Sequence, residues 1–326
     1  MHARTALPLY VRRLTALLIV GLLHAVFLWY GDILSFYAPL GFALILFVNR
    51  SDRAALAWAG ILIVLVPVAL GVAMTIQNLS GAATAAPAGP SPAEVNAATL
   101  AVFQSGSYAR MIRENVVQAL QFFSGMQGFL QLQYFGLFLM GLYVGRRRVF
   151  EQITRYEPAL RRVAIWGLAI GFACGIVDVT IAITIGRRSA FARAELVLLM
   201  YVLSIGTIVQ AAGYVAMITL LLRRPFWERW LSVFQPAGRM ALTNYLTQTL
   251  ACLAIFYGGG LIGRTGPAFG LLIALMIYTA QMAWSAAWLS RFRMGPAEWL
   301  WRSATYGRLQ PLSRGAQAPF KPAAHA

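Results

Sequence analysis

Eight apolar runs, separated by short connections rich in arginine, constrain this chain more than any other feature of its sequence. Only 11% of the residues are charged, against about 25% in soluble domains, so the chain cannot cover itself with a hydrated surface. A helix crosses the hydrocarbon layer in about 20 apolar residues, and backbone in lipid must satisfy its own hydrogen bonds. We therefore predict an all-α, polytopic transmembrane bundle of about eight spans. The runs occupy residues 14–31, 33–49, 54–79, 128–145, 163–185, 196–222, 240–258 and 267–290.

The distribution of positive charge predicts which side of the membrane each connection faces. With both termini in the cytoplasm, 21 of the 27 Lys and Arg residues fall on the cytoplasmic side, as the positive-inside rule requires. A formal net charge of +17 can indicate nucleic-acid binding, but here the arginines lie between apolar runs, where they determine the topology. We predict an N-in, C-in protein that contacts membrane lipids and no nucleic acid.

The connections divide the chain into four predicted segments. Residues 1–79 form a three-span segment and residues 128–309 a five-span domain, and residues 310–326 are predicted to be disordered. Between the two sets of spans, residues 80–127 lie outside the membrane. Their Gly/Ala/Pro-rich start predicts a flexible linker, and the mixed pattern of residues 97–123 predicts an amphipathic helix on the outer surface or over the mouth of the bundle. The alternative is a short structured loop that only connects the spans.

Polar side chains within or beside the apolar runs are candidate functional residues, because they are costly in lipid. His24 lies in the first run, and Asp32 follows eight residues later, about 80° away around a helix. Together the candidates predict a polar interior or a path for an unidentified small molecule. The alternative is structural: the amides bond neighbouring helices, Asp178 pairs with an arginine, and His24 is a neutral hydrogen-bonding group. The set comprises His24, Asp32, Asp178, Gln210, Asn244, Gln248 and Gln281.

The sequence predicts neither a metal site nor a cofactor. Cys174 and Cys252 fall in separate apolar runs and are interpreted as small packing residues. The glycines at 258–260 are not followed by the Lys-Ser/Thr of a phosphate-binding loop, and no strand precedes them.

Three motifs resemble the YeiB-like family of bacterial inner-membrane proteins, domain of unknown function 418. They cover residues 21–34, 238–245 and 295–302. The resemblance implies a multi-pass protein of the bacterial inner membrane that is associated with transport. Family members usually begin with further spans that include Asp-x-x-Arg-Gly, so we expect either a misplaced start site or a shortened member. The motif residues are Gly238, Arg239, Asn244, Tyr245, Gly295, Pro296, Glu298, Trp299 and Arg302.

A second resemblance is to membrane acyltransferases that modify surface sugars, whose first helix carries an arginine, ten residues and then a histidine. Arg13 and His24 have that spacing, which puts them on nearly one helical face, about 16 Å apart along the axis. The resemblance implies His24 as a base and Arg13 as the holder of a donor phosphate. The Leu-Asp-Gly expected before the arginine is absent. The functional hypotheses are therefore a transport-associated protein, an acyltransferase acting on a lipid- or sugar-linked acceptor, and a structural assembly partner.

Overall fold

The regular secondary structure of this protein is helical throughout the residues that its computed structural model describes, which are 3–80, 92–124, 127–185 and 194–314. In those ranges, the one β-type contact is a bridge between Phe292 and Ser313. Five helices are long and apolar enough to cross a membrane. The prediction of an all-α, multi-pass membrane bundle is confirmed. The α-helices are α1 (Ala3–Phe27), α2 (Leu34–Leu44), α3 (Asp52–Gly60), α4 (Val66–Leu79), α5 (Pro92–Gln104), α6 (Tyr108–Ser124), α7 (Gln127–Arg146), α8 (Ile153–Thr184), α9 (Ala194–Leu221), α10 (Pro225–Leu231), α11 (Gln235–Arg239), α12 (Ala241–Cys252), α13 (Pro267–Arg291) and α14 (Pro296–Tyr306).

The predicted spans differ in regularity. Among the described residues, the five helices that qualify by length and apolar composition are Leu7–Phe27, Asp52–Leu79, Ile153–Thr184, Leu196–Leu221 and Pro267–Arg291. The second of these joins α3 to α4 through a π-helix, Ile61–Leu65. The other three predicted spans are also helical. One of them, α7, covers 20 residues, whereas α2 tightens into a 3₁₀ turn and α12 widens into a π-helix of 6 residues. A π-helix inserts an extra residue into the turn, and such segments are frequent at functional sites.

The chain forms two compact units. The first unit comprises Met1–Pro39, Pro92–Ala119 and Leu231–Ala326, and the second comprises Leu40–Ser91 and Leu120–Trp230.

The second unit is organised around the pairing of α8 with α9, which meet along a row of glycines. A Cβ at Gly167 would stand 2.8 Å from the carbonyl oxygen of Val209 and 2.9 Å from the Cα of Gly213. One turn further on, Gly171 faces the side chain of Gln210, which leaves no room there for a Cβ. Small residues allow two membrane helices to approach closely, and that gain in packing contact holds the pair together.

The first unit joins the two ends of the chain. Its N-terminal helix α1 packs against the C-terminal helix α14. After α14 the chain turns at Gly307, whose φ of 65° suits glycine, and residues 310–314 run back beside the end of α13. The backbone N–H of Arg293 donates to the carbonyl of Leu312 at 2.9 Å. Of the segment predicted to be disordered, Gln310, Leu312 and Arg314 are hydrogen-bonded in this way, and residues 315–326 lie outside the described part of the chain.

The outer segment contributes two helices to the first unit, where the sequence pattern predicts one. Helices α5 and α6 are separated at Gly106, whose φ of 68° is in the left-handed region. Phe103 on α5 and Met111 on α6 are buried, so the apolar face of this segment packs against protein. The predicted linker, residues 81–91, lies outside the described residues.

Candidate functional site

The imidazole of His24 lies between a carboxylate and a hydroxyl group in the first unit. His24 is in the last turn of α1 and is only 2% exposed. Its Nδ1 lies 3.1 Å from Oδ1 of Asp32, although the alignment falls short of a hydrogen bond. Its Nε2 lies 2.9 Å from Oγ1 of Thr249. The result is a carboxylate–imidazole–hydroxyl chain, which we call the His24 chain.

Asp32 reaches His24 because the connection between α1 and α2 folds back onto α1. The carboxylate accepts hydrogen bonds from the backbone N–H of Ser35 at 2.5 Å and from the hydroxyl of Tyr245 at 2.9 Å. Gly21, one turn before His24, makes the approach possible. A Cβ at Gly21 would lie 2.7 Å from Oδ2 of Asp32 and 2.8 Å from the carbonyl carbon of Leu34. The glycine therefore sets how closely the carboxylate approaches the helix.

The surroundings of Asp32 keep it ionised. Burial raises the pKa of this carboxyl, but interactions with His24, Ser35 and Tyr245 outweigh burial and hold the pKa below its usual value. The negative charge of Asp32 beside Nδ1 therefore favours the tautomer of His24 that carries its proton on Nδ1.

Helix α12 supplies the other half of the site. Tyr245 and Thr249 are one turn apart on this helix, so both side chains point the same way. The ring of Tyr245 packs on the imidazole with its centroid 4.8 Å away, and Thr249 Oγ1 also contacts the carbonyl of Tyr245 at 3.3 Å. Thr249 was not among the sequence candidates, and Tyr245 was named only for its place in a motif. The spacing of four residues between Tyr245 and Thr249 is the one sequence signal that pairs them.

A cavity of about 450 Å³ adjoins the His24 chain. This volume is within the range of small-molecule sites. Gln248 is in its wall, and the buried hydroxyl of Tyr257 has no hydrogen-bond partner among the described residues. Most of the remaining wall is apolar. The lining residues are Trp29, Tyr245, Gln248, Thr249, Cys252, Leu253, Phe256, Tyr257 and Ile262.

The outer segment fixes the end of α1 that carries His24. Asn115, which is fully buried, donates from Nδ2 to the carbonyls of Val26 at 3.2 Å and Leu28 at 3.4 Å. The hydroxyl of Tyr108 donates to the carbonyl of Phe27 at 2.7 Å. The last carbonyls of a helix have no N–H partner within the helix, and at the end of α1 side chains of α6 donate to them instead. Helix α6 is therefore part of the support of the site.

A second buried carboxylate, that of Glu298, lies at the start of α12. Its Oε1 accepts from the backbone N–H groups of Leu242 at 2.7 Å and Thr243 at 3.0 Å, and its Oε2 accepts from the Thr243 hydroxyl at 2.5 Å. Gly295 lies against this contact, since a Cβ there would be 2.5 Å from Thr243 Oγ1. A carboxylate at a helix N-terminus satisfies free N–H groups and complements the helix dipole. Glu298 is thus a cap supplied by α14.

Comparison with known proteins places the chain in a family. The family profile described as "Protein of unknown function (DUF418)" matches residues 144–308. Over 322 residues, the chain is 34% identical to "Uncharacterized protein YxaH" of Bacillus subtilis, covering 94% of this chain and 74% of that protein. It belongs to the DUF418 family.

Other DUF418 relatives are more distant. "Uncharacterized protein YeiB" of Escherichia coli is 29% identical over 306 residues, which is 90% of this chain and 74% of that protein. An "Uncharacterized 39.9 kDa protein in amylase 3'region" of Bacillus acidopullulyticus is 32% identical over 183 residues, 54% of this chain and 53% of that protein. No solved structure matches. The resemblance to the YeiB-like family is confirmed.

The DUF418 match contains the C-terminal part of the site but not all of it. Tyr245, Thr249 and Glu298 lie within residues 144–308, whereas His24 and Asp32 precede them. Two further motif residues support the same region: Arg239 donates to the carbonyl of Arg293 at 3.0 Å, and Trp299 donates from its ring N–H to the carbonyl of Gln310.

The other motif residues have local roles or open surroundings. Pro296 is at the N-terminus of α14, where its missing N–H costs nothing. Gly238 has no atom within 4 Å of the position of a Cβ, and Arg302 is exposed. These three residues do not contact the His24 chain.

Two of the predicted membrane amides bond one helix to another. The side chain of Asn244 on α12 donates to Ser285 Oγ of α13 at 3.0 Å, and Gln281 of α13 donates back to the carbonyl of Asn244 at 2.7 Å. This is the interhelical arrangement that the sequence left open as the alternative. Gln248 differs, because it lines the cavity.

The remaining sequence candidates lie apart from these contacts. The guanidinium of Arg13 stacks over Trp301, 4.5 Å from the ring centroid, and the backbone carbonyl of Arg13 accepts from the Trp301 ring N–H. Asp178, which is half-buried, and Gln210 belong to the second unit. Among the residues that the structure describes, no group of three His, Cys, Asp or Glu side chains could hold a metal ion.

Proposed function

We propose that this DUF418 protein is a membrane-embedded acyltransferase in which His24 is the general base. The observation that carries the proposal is the His24 chain, in which a buried imidazole stands between an ionised carboxylate and a hydroxyl beside a ligand-sized cavity. Catalytic triads are recognised by this geometry rather than by sequence position.

The roles follow from the contacts. The charge of Asp32, 3.1 Å from Nδ1, favours a proton on that nitrogen, which leaves Nε2 free to accept a proton. Thr249 contacts Nε2 and also lines the cavity, so a hydroxyl bound in the cavity can reach Nε2 beside it. That hydroxyl oxygen attacks the carbonyl carbon of an ester or thioester donor, and its proton passes to Nε2. Collapse of the tetrahedral intermediate expels the alkoxide or thiolate, which takes the proton from Nε2.

The cavity indicates the kind of acceptor. Its wall combines apolar side chains such as Leu253 and Phe256 with the polar groups of Gln248 and Tyr257. The buried Tyr257 hydroxyl lacks a protein partner among the described residues, so a ligand oxygen would relieve an otherwise costly burial. This supports an amphipathic acceptor, lipid- or sugar-linked, rather than a small ion.

Acyl transfer by purified protein tests the proposal. Octyl glucoside serves as the amphipathic hydroxyl acceptor, acetyl-, butyryl- and palmitoyl-CoA serve as donors, and thiol release and the acylated glucoside are measured. His24→Gln should reduce turnover by about 10²- to 10⁴-fold, because it removes the proton acceptor while keeping a polar side chain of similar size. Thr279→Val, at an exposed helix position, is the control and should have no effect. Wild-type turnover in His24→Gln, or none in the wild type with all three donors, would count against acyl transfer.

Proton-coupled transport is a second candidate, and the burial of the His24–Asp32 pair favours it. Paired ionisable residues within membrane proteins also serve as proton relays. In that case His24→Gln would abolish solute-driven proton movement in proteoliposomes, and no acylated product would form. The structural role as an assembly partner is less favoured, because the Tyr257 hydroxyl is left unsatisfied.

The proposed location is the bacterial inner membrane with both termini in the cytoplasm. The distribution of arginine supports this threading, because 21 of the 27 basic residues then face the cytoplasm. On this orientation His24 and Asp32 lie toward the outer end of α1. Fused after Arg314, a reporter that works only in the cytoplasm should be active, and a reporter that works only outside the cytoplasm should be inactive.

A further inference from the structure

A second cavity, of about 530 Å³, lies in the second unit where α8 begins and α9 ends. One side of it is basic. Arg161, Arg223 and Arg224 line it with a single carboxylate, that of Glu157. We call it the arginine cavity. Nothing in the His24 chain involves it.

The charges in the arginine cavity are only partly compensated. Glu157 accepts from Arg161 Nη2 at 2.7 Å and also pairs with Arg223. The guanidinium of Arg224 has no protein partner among the described residues. Three guanidinium groups therefore face one carboxylate, and the lining carries a net charge of +2. Such a site attracts an anion that can accept several hydrogen bonds, of which a phosphate group is the common example.

The other side of the arginine cavity is apolar and is formed by two helices that are long and apolar enough to cross a membrane. Met217 and Leu220 of α9 and Ala164 of α8 form this wall. A ligand that fills both sides must join a phosphate to a hydrocarbon chain. A free phosphate would leave the apolar wall empty.

Aromatic residues mark the depth of the arginine cavity in the bilayer. Trp227 lines it from α10, and the neighbouring Phe226 and Trp230 are 64% and 63% exposed. Tryptophan is enriched at the level of the lipid headgroups. In the predicted threading this is the cytoplasmic face, where anionic lipids supply the negative surface potential.

We propose that the arginine cavity binds an anionic phospholipid, with the phosphodiester among Arg161, Arg223 and Arg224 and an acyl chain along Met217 and Leu220. Basic pockets between membrane helices on the cytoplasmic side hold anionic headgroups in this way. The site is separate from the proposed acyl transfer and stands without it.

Native mass spectrometry of the purified protein measures the binding. Phosphatidylglycerol and phosphatidylcholine are titrated separately in nonionic detergent, and bound lipid is counted. The double variant Arg161→Gln/Arg224→Gln should weaken phosphatidylglycerol binding about tenfold or more, because each basic residue near the membrane surface is worth about a fivefold change. Phosphatidylcholine binding should be unaffected.

The control is the double variant Arg53→Gln/Arg162→Gln. It removes the same charge from the same predicted side, and both residues are exposed and do not line the cavity. An equal loss in the control would mean general charge attraction and would overturn the proposal. Displacement of the lipid by millimolar inorganic phosphate or glycerol 3-phosphate would mean a site for soluble phosphate, which also overturns it. If the double variant fails to fold, Arg224→Gln alone decides the question, since Arg224 has no described protein partner to lose.

Discussion

Asp32 and Glu298 are both buried carboxylates of the first unit, at 4% and 8% exposure, yet they have different partners. Glu298 accepts from two backbone N–H groups and one hydroxyl at the start of α12. Asp32 contacts an imidazole and a phenol next to a cavity. Backbone N–H groups are fixed donors, whereas an imidazole can gain and lose a proton near neutral pH. Burial therefore does not distinguish these two carboxylates, but the chemistry of their partners does.

The difference predicts that Glu298 matters most for stability. Glu298→Ala leaves the N–H groups of Leu242 and Thr243 and the Thr243 hydroxyl without their acceptor. Loss of charged hydrogen bonds in a buried site should cost about 3 kcal/mol of the free energy of unfolding. Thermal unfolding in detergent, followed by tryptophan fluorescence, measures this cost. Glu151→Ala, at an exposed turn, is the control, and an equal fall in both variants would contradict the capping role.

Substitution of Gly21 should change how closely Asp32 approaches α1. Gly21→Ala puts a Cβ 2.7 Å from Asp32 Oδ2, so the connection to α2 must shift. We expect a loss of about 2 kcal/mol from this overpacking, together with a loss of transfer activity. Gly238→Ala is the matched control, because a Cβ there meets nothing within 4 Å. In the helical α11 it should be neutral or stabilising by about 0.5 kcal/mol. If Gly21→Ala and Gly238→Ala have the same free energy of unfolding, Gly21 does not limit how closely Asp32 approaches α1.

The ionised state of Asp32 predicts a pH dependence. Its pKa in the folded protein is below the unfolded value of about 3.9, so its contribution is fully present above that pH and is lost as pH falls through the folded pKa. The wild type should exceed Asp32→Asn by about 1.5 kcal/mol between pH 5 and pH 7, with the difference shrinking below about pH 4. Chemical denaturation across this range measures it. A difference that grows toward low pH would contradict an ionised Asp32.

The smallest stability effect is expected at Tyr257. Its buried hydroxyl has no described partner, so Tyr257→Phe should change stability by less than about 0.5 kcal/mol. Tyr245→Phe removes the bond to Asp32 and should cost about 1 kcal/mol. Tyr257→Phe should nevertheless raise the KM for octyl glucoside, if the cavity holds the acceptor. An unchanged KM would remove Tyr257 from the binding site.

Part of this site could be predicted from the sequence. The cost of polar groups in lipid singled out His24 and Asp32, but helical spacing does not explain their contact, because α1 ends at Phe27 and the connection to α2 folds back onto it. Tyr245 and Thr249 could not be found this way, because the rotation of α12 about its axis is set by packing with a helix more than 200 residues away. The amides Asn244 and Gln248 drew attention to the neighbouring face of the same helix. Of that pair, Asn244 bonds α13 and Gln248 lines the cavity.

The fold and the family were more accessible from the sequence than the roles of the motif residues. Hydrophobic runs of sufficient length predict membrane helices whatever their partners are. The motif at 295–302 identified the family, but nothing in its spacing indicates that Glu298 caps α12. A cap that comes from a distant helix has no local sequence pattern, unlike one supplied by the residue before the helix.

The separation of 225 residues between His24 and Thr249 also bears on how the protein is made. Chains are synthesised at about 5–20 residues per second, so His24 waits roughly 10 to 45 seconds in the nascent chain before Thr249 is added. Asp32 is added only eight residues after His24, so its carboxylate is available to the imidazole during that wait. The contact with Asp32 can therefore form well before the contact with Thr249, which completes the site only after α12 has been synthesised.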